Sequence, residues 1–319
     1  MVRRTPGQGV RRIAQVHLRQ RPGVRGHLFD RPAVYAKCYV RSGQEKQLLA
    51  ALEANDFYRQ HITADGFLDL KPEKDLKYVY SEGTAIMYML TGDESYKETL
   101  RRVAKGWETH RRIEYQPADF WTERHHGFGM MAWVHLYELT GEARYLDNAE
   151  RFFNAALDMQ VHPGDGKAPD GAWVHTADSH GDGNGWTSSP WMSAFLTDAI
   201  WKYWMLSGDD RAAASLAMYD SFAAKYAITP DGKFVYYMAN SPGRGESENE
   251  DDVAHNMEGI YLMAMGYYLS GGTDQAFLKR IDTLKPGLLE DGANNPGRKF
   301  NWRFRETSML VWFLAHAGG

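Results

Sequence analysis

The chain has 319 residues, of which 43% are apolar and 24% charged, and its formal net charge at pH 7 is −4. This is the composition of an ordinary globular protein, and the slight acidic balance gives no reason to expect a nucleic-acid partner. The single cysteine, Cys38, excludes a disulfide framework and a metal site built from several thiolates, and no apolar run reaches the length of a membrane span.

The first thirty residues are rich in arginine, from Arg3 to Arg25, and contain no long apolar stretch of the kind found in signal peptides. Residues 1–30 are therefore predicted to form a basic arm. A repeat begins near residue 31 and persists to the end of the chain, which predicts a single domain over residues 31–319. The sequence indicates no cellular location.

A five-residue phrase recurs along the chain: an aromatic residue, any residue, Leu or Arg, Ser or Thr, and Gly. It occupies Tyr39–Gly43, Tyr88–Gly92, Tyr137–Gly141, Trp204–Gly208 and Tyr267–Gly271. Glycine accepts the left-handed backbone that ends many helices, so each phrase predicts a tight turn between two helices.

The spacing of apolar residues and helix breakers predicts eleven helices. They cover about 31–41, 44–60, 78–91, 94–109, 124–140, 143–160, 190–207, 210–227, 252–270, 274–285 and 304–316. Ser189 before Pro190 has the pattern of a helix start, and Asp252 is the predicted N-cap of the helix after it. The best strand candidate is residues 233–238.

The helix before each glycine is apolar on most sides, whereas the helix after it is amphipathic. Alternating inner and outer helices predict an all-α fold, an incomplete (α/α)6 toroid with six inner and five outer helices. Turns after inner helices are short and returns after outer helices are long. The long returns should therefore share one face, opposite the glycine turns.

This order of elements, together with the Tyr-x-Leu-Thr-Gly-Asp turn, resembles the (α/α) toroids of carbohydrate-active enzymes over about 290 residues. Such toroids include glycoside hydrolases, polysaccharide lyases and sugar epimerases. The resemblance implies a cleft at the N-termini of the inner helices, on the face that carries the long returns. A polysaccharide or oligosaccharide is the partner that it implies.

Four of the long returns contain candidate functional residues. The first of them leads into the third inner helix and contains Trp121, Glu123, Arg124, His125 and His126. Neighbouring residues on a helix differ by about 100° in direction, so only one of the two histidines can face inward. The positive end of the helix would favour a carboxylate of the substrate.

The second return alternates polar residues with glycines and ends in Trp186 and Trp191, which are candidates for stacking on sugar rings. Its Asp178-x-His180-x-Asp182 run matches the first half of a calcium loop. The closing position holds Ser189 in place of Glu, so no metal or other cofactor is predicted.

The third and fourth returns add further candidates. The third contains Tyr236, Tyr237, several acidic residues, His255 and Asn256. The fourth brings cations and one aromatic ring to the same face, namely Arg298, Trp302, Arg303 and Arg305. Arginine binds carboxylates well because its planar fork matches their two oxygens.

A polysaccharide lyase acting on a uronic-acid glycan by β-elimination is the favoured interpretation. It needs a group that neutralises the uronate, a base and an acid. Arg124, His125 or His126, His255 and Asn256 would supply the first two, and Tyr236 or Tyr237 the acid. The recurring Asn, His, Arg and Tyr resemble alginate-lyase-type toroids, although His255-Asn256 stands where those enzymes carry a compact Asn-Asn-His run.

Two alternatives stay open. A glycoside hydrolase needs two facing carboxyl groups, for which Glu123 could pair with Asp251, Asp252 or Glu258. A noncatalytic glycan-binding toroid would need only the aromatic loops. The inward arginines favour the lyase, because a neutral sugar requires none of them.

Overall fold

The computed structural model describes residues 30–70, 73–111, 113–119, 122–176, 186–235, 238–239, 251–252, 255–292, 304 and 307–318. Within these ranges the protein is built from eleven α-helices and five very short strands. The predicted all-α toroid of helical hairpins is confirmed. No helix in the described ranges is long and apolar enough to cross a membrane.

The helices follow the predicted order. They are α1 Arg31–Ser42, α2 Glu45–Gln60, α3 Glu82–Thr91, α4 Glu94–His110, α5 Thr122–Thr140, α6 Ala143–Val161, α7 Pro190–Ser207, α8 Asp210–Tyr226, α9 Asn256–Leu269, α10 Gln275–Gly292 and α11 Leu310–His316. Most of their ends lie within two residues of the predicted positions.

Helix α3 begins later than predicted, at Glu82. Asp75 accepts a hydrogen bond from the backbone N–H of Lys77 and caps a separate 3-10 turn over Leu76–Tyr78. The last helix is also shorter than predicted, because Thr307–Met309 forms another 3-10 turn before α11. Helix α10 is longer, because it continues through Pro286.

The prediction that Asp252 caps α9 is wrong. Asp251–Asp252 forms a strand, β5, that pairs antiparallel with β3 at Phe234–Val235, and α9 starts only after His255. The remaining strands, β1 His175–Thr176, β2 Trp186–Ser188 and β4 Met238–Ala239, form an antiparallel sheet in the order β1-β2-β4. The sheet joins the return after α6 to the return after α8.

The glycines of the five turns share a left-handed backbone conformation. The five glycines of the repeated phrase have φ values between 64° and 68°. In the first four turns the glycine N–H donates to the carbonyl of the aromatic residue four positions earlier, as in Gly92 to Tyr88 at 2.7 Å. This is the left-handed cap that ends a helix, and it explains why the phrase closes with glycine.

The inner helices α1, α3, α5, α7, α9 and α11 pack against one another in that order, and each outer helix packs on its hairpin partner. The two ends of this series meet, because the Arg41 guanidinium of α1 donates to the Ser308 carbonyl and lies 5.4 Å from the centre of the Phe304 ring. The start and the end of the series of inner helices are therefore in contact.

Four inner helices contribute to one charged cluster inside the ring, which we call the axial cluster: Lys37, Glu82, His135 and Lys202. Glu82 Oε2 lies 2.9 Å from Lys37 Nζ, and Glu82 Oε1 accepts a hydrogen bond from Lys202. Lys202 also lies 3.4 Å from His135 Nε2. Lys37, Glu82 and Lys202 thus form ion pairs inside the ring with the His135 ring beside them, and Glu82, His135 and Lys202 line a cavity of about 210 Å³.

Next to the axial cluster, aromatic side chains of three inner helices pack together. Trp201 of α7 lies 4.7 Å from the Phe313 ring of α11 and 5.6 Å from the Tyr268 ring of α9, measured between ring centres. These contacts attach the short last helix to the ring, since offset and edge-on aromatic pairs are favourable.

Asp220 is an exception to the apolar packing between outer and inner helices. It lies on α8, is fully buried, and neither carboxylate oxygen has a hydrogen-bond partner in the described part of the chain. It packs against Gly266 of α9. Burial raises the pKa of Asp220 well above its ordinary value, because an unpaired charge is costly away from water.

Replacing Asp220 with Asn should therefore stabilise the protein at neutral pH, because the amide is uncharged without taking up a proton. The folded protein must hold a proton on Asp220 that the unfolded chain releases above pH about 4, so wild-type stability falls relative to the variant as the pH rises. Urea unfolding at pH 4 and pH 7 measures this. Asp282→Asn, at an exposed site, is the control, and an equal gain at both pH values would contradict the prediction.

Candidate functional site

The N-terminal ends of α5, α7 and α9 meet at one end of the ring. Glu123 of α5 accepts a hydrogen bond from His175 Nδ1 at 2.7 Å and from the backbone N–H of Ser189, just before α7, at 3.3 Å. Trp191 of α7 stacks on His255, at the start of α9, with ring centres 4.9 Å apart. The candidate site is therefore assembled at the end opposite the glycine turns.

Arg124 lies beside this stack. Its guanidinium carbon is 5.9 Å from the centre of the Trp191 ring, and only 2% of the residue is exposed. Arg124, Trp191 and His255 thus form a layered group of cation, indole and imidazole that spans three inner helices. A guanidinium in such a place favours an anionic group.

The adjacent histidines of α5 have different surroundings. His126 is fully buried and its Nε2 donates to the Phe152 carbonyl of α6 at 2.7 Å. Its ring packs between Tyr115 and Phe152, with centres 5.2 and 4.9 Å away. Burial, followed by the Arg111 charge, lowers the pKa of His126 to about 3. His126 therefore serves to hold α5 against α6.

His125 faces the other way and is 8% exposed. Its Nδ1 donates to Asp119 Oδ2 at 3.1 Å, and Asp119 also receives the Arg111 guanidinium. Burial lowers the pKa of His125 to about 4, against the opposing effect of the Asp119 hydrogen bond. His125 is therefore neutral at pH 7, and Asp119 orients its ring.

A second histidine–carboxylate pair lies at the start of α9. His255 Nδ1 is 3.6 Å from Glu258 Oε1, one turn further along the helix. His255 is 2% exposed, and Glu258 is fully buried. The carboxylate is placed to stabilise positive charge on the imidazole, which is the arrangement that a proton-accepting histidine requires.

Asn256 has a structural set of contacts. Its Oδ1 accepts from the Phe234 N–H at 2.9 Å, and its Nδ2 donates to the Gly232 carbonyl at 2.8 Å and the Leu284 carbonyl at 2.7 Å. These bonds tie α9 to β3, to the preceding turn and to α10. The side-chain amide of Asn256 already makes three hydrogen bonds to the backbone, so we do not place Asn256 among the reacting groups.

Glu123 lies inside the wall of the site and has no exposed surface. Its Oε2 makes no hydrogen bond within the described ranges. Two buried tyrosines, Tyr115 and Tyr219, have raised pKa values. Burial is the largest cause for each, and the negative charge of Glu123 adds to it. Glu123 therefore anchors the return that carries His175 and supports the wall of the site.

The aromatic candidates differ in exposure. Trp186 is half-buried on β2, and its ring lies next to Gly164. Trp191 is only 2% exposed, so it supports His255 rather than offering a free face to a sugar. Several predicted site residues lie outside the described residues: Trp121, Tyr236, Tyr237, Arg298, Trp302, Arg303 and Arg305. The side chains of Asp251 and Asp252 are likewise not described.

Among the described residues no group of three or more His, Cys, Asp or Glu side chains could hold a metal ion. The calcium-like run Asp178–Asp182 lies outside those residues. His175 and Asp119 are partners that sequence reasoning did not assign. The signal for both is weak, because each acts through a residue on a different segment of the chain.

No protein-family description and no curated protein sequence matches the chain. Solved structures do. A polysaccharide lyase superposes with a TM-score of 0.64 at 12% identity, over 95% of this chain and 94% of that one. A family 88 glycosyl hydrolase from Bacteroides vulgatus gives 0.63 at 13% identity, over 96% and 97%.

The cellobiose 2-epimerase of Spirochaeta thermophila is also similar, with a TM-score of 0.64 at 13% identity over 92% of this chain and 85% of that one. The three structures carry different activities. At these identities the likeness shows the shared fold, which agrees with the toroid predicted from the glycine turns.

Proposed function

We propose that the protein is a carbohydrate-active enzyme, and specifically a polysaccharide lyase that cleaves a uronic-acid glycan by β-elimination. The observation that supports this most directly is the presence of two histidine–carboxylate pairs, His125 with Asp119 and His255 with Glu258, at one end of the ring. Elimination begins with removal of the proton on C5 of the uronate, and a histidine with a carboxylate behind it suits that step.

In this proposal His255 is the base. Glu258 Oε1, 3.6 Å from His255 Nδ1, is placed to stabilise the charge that His255 gains with the C5 proton. The electron pair left on C5 forms the C4–C5 double bond as the C4–O bond breaks. Tyr236 or Tyr237 is proposed to protonate the departing oxygen.

Among the described residues, Arg124 is placed to neutralise the uronate carboxylate, because both Arg124 and His255 lie against the Trp191 ring. Neutralisation makes the C5 proton more acidic, so the cation and the base belong together. We propose that Arg298, Arg303 and Arg305 hold further uronate units. Trp121, Trp186 and Trp302 are proposed to stack on sugar rings.

A glycoside hydrolase is the second candidate. Glu123 of α5 and Glu258 of α9 lie on inner helices of the site that are separated by α7, and Glu123 Oε2 has no hydrogen-bond partner in the described ranges. Hydrolases with this fold are among the similar structures. Against it, neither carboxyl group has any exposed surface, whereas both histidines retain some. A noncatalytic glycan-binding toroid is the third candidate.

A substrate panel tests the proposal. The protein is mixed with alginate, polygalacturonate, hyaluronan and neutral glucans, and each mixture is followed for ultraviolet absorbance of unsaturated uronate and for new reducing ends. Absorbance that rises together with reducing ends supports the lyase. Reducing ends without absorbance identify a hydrolase, an isomerised sugar without cleavage identifies an epimerase, and binding without any product leaves the noncatalytic toroid.

A further inference from the structure

The last inner helix, α11, lacks an outer partner within the part of the chain that the structure describes. Each of the other five inner helices is followed by an outer helix that packs on it. Helix α11 packs on α9, and its Phe313 side chain is fully buried. Val311 lies two residues before Phe313 and so points to the opposite side of the helix, where it is 61% exposed. Leu314 shares the face of Val311 and is 36% exposed.

The size of this exposed face limits what can cover it. Helix α11 has seven residues and is therefore about 10 Å long. Stable complexes between two proteins bury about 800 Å² on each partner, which is far more than one short helix can offer. A covering segment of the same chain fits the face better than a second protein does.

The order of elements along the chain indicates which segment this is. Each outer helix packs on the inner helix before it and then leads into the next inner helix of the ring, as α8 packs on α7 and leads into α9. Residues 1–29 lead into α1. Helix α1 contacts the 3-10 turn that leads into α11, because the Arg41 guanidinium donates to the Ser308 carbonyl. By the same rule, an outer helix that leads into α1 packs on α11.

The start of α1 fixes where this segment joins the ring. The buried Asp30 carboxylate accepts hydrogen bonds from the backbone N–H of Ala33 at 3.2 Å and of Gly83 at 3.0 Å. The eight residues 22–29 before it can span up to about 26 Å. Packed helices lie only about 8–10 Å apart, so residues that precede Pro22 can reach the outer side of α11.

The sequence of the segment has the pattern of an outer helix. Its apolar residues follow the i, i+3, i+4, i+8 spacing of one helix face, at Val10, Ile13, Ala14 and Leu18. Arg12 and Arg19 fall on the opposite side. Gly9 precedes the run and Pro22 follows it, as is common at helix ends. The segment therefore has one apolar face to bury and one charged face for solvent.

We propose that residues 10–21 form the sixth outer helix and bind to the Val311 and Leu314 face of α11 in the same molecule. Twelve residues make a helix of about 18 Å, which is long enough to cover α11. Charge favours the contact, because residues 1–29 contain seven arginines and no acidic residue, which leaves a formal charge of −11 on the rest of the chain. The segment expected to be a basic arm is then part of the toroid wall, whichever reaction the protein catalyses.

Limited proteolysis of the full chain with trypsin tests the contact, because trypsin cleaves a helical segment only when its backbone unfolds locally. Mass spectrometry measures the rates of cleavage after Arg12 and Arg19. In the wild type both rates should be at least tenfold lower than in a synthetic peptide of residues 1–29. Replacing Val311 and Leu314 together with Asp should raise both rates at least tenfold, because an unpaired charge is costly in a buried apolar contact.

Met205→Asp with Met218→Asp is the matched control, because these two side chains have the same exposures, 61% and 36%, on other helices. Ile13→Asp tests the contact from the other side while leaving α11 unchanged. Its control is Gln15→Asp, which falls on the arginine side of the segment. Cleavage after Arg19 should be faster in Ile13→Asp and unchanged in Gln15→Asp, and circular dichroism checks that every variant is folded.

Two results would overturn the contact. One is cleavage of the wild-type segment as fast as cleavage of the peptide. The other is equal cleavage rates in each variant and its control. Protection that is lost on dilution would place the segment on a second molecule, and that result too would overturn binding within one chain.

Discussion

Replacing His255 with alanine should lower the rate of unsaturated-product formation by about 10²- to 10⁴-fold, the usual contribution of a positioned general base. The loss should appear in kcat, because the imidazole acts on the proton that leaves during the reaction. Initial rates of absorbance increase on the polyuronate that the wild-type protein cleaves measure it. His255→Gln is made in parallel, since an amide of similar size keeps packing on Trp191.

Glu123→Gln is the comparison that separates lyase from hydrolase. A glutamine oxygen can still accept the bonds that His175 and Ser189 donate to Glu123, so the wall of the site should survive and most turnover should remain. If Glu123→Gln instead abolishes activity while His255→Ala keeps it, and the products are saturated, the protein is a hydrolase. Circular dichroism of each variant checks that it is folded.

Acid should destabilise the protein strongly through His126. The unfolded chain binds a proton on this histidine below pH about 6.5, whereas burial lowers its pKa in the folded protein to about 3. The stability that comes from keeping His126 uncharged is therefore fully present above pH 6.5, and it is lost as the pH falls towards 3. The loss attributable to His126 should be about 2 kcal/mol between pH 7 and 5 and about 5 kcal/mol in full.

His126→Gln removes the titrating group while keeping a donor for the Phe152 carbonyl. The variant should be less stable at pH 7, because the ring contacts with Tyr115 and Phe152 are lost, but its free energy of unfolding should depend less on pH. Urea unfolding at pH 7, 6 and 5 measures the slope. His162→Gln, at an exposed position, is the control. If the difference in free energy of unfolding between the wild type and His126→Gln is the same at all three pH values, the explanation is wrong.

Much of the fold could be predicted because it is set by short-range rules. The glycine phrase and the 3.6-residue apolar period act within one or two helical turns, and both survive in the structure. The misplaced start of α9 has a long-range cause. Asp252 has the chemistry of a helix cap, but pairing with Phe234–Val235 places it in a strand instead.

The site was harder to predict because its contacts join distant segments. Glu123 and His175 are 52 residues apart, so sequence spacing gives no sign of their hydrogen bond. The direction of the adjacent histidines depends on where α6 packs, and only the Phe152 carbonyl shows that His126 points into the wall. Residue types could be predicted from the loops, whereas partners required coordinates.

The axial cluster has a consequence for how the inner helices stay together. Glu82 of α3 contacts Lys37 of α1 and Lys202 of α7 at once, so one carboxylate is the counter-charge of two ammonium groups. Without that carboxylate, two like charges would be left close together inside the ring, and their repulsion would act against the packing of three inner helices.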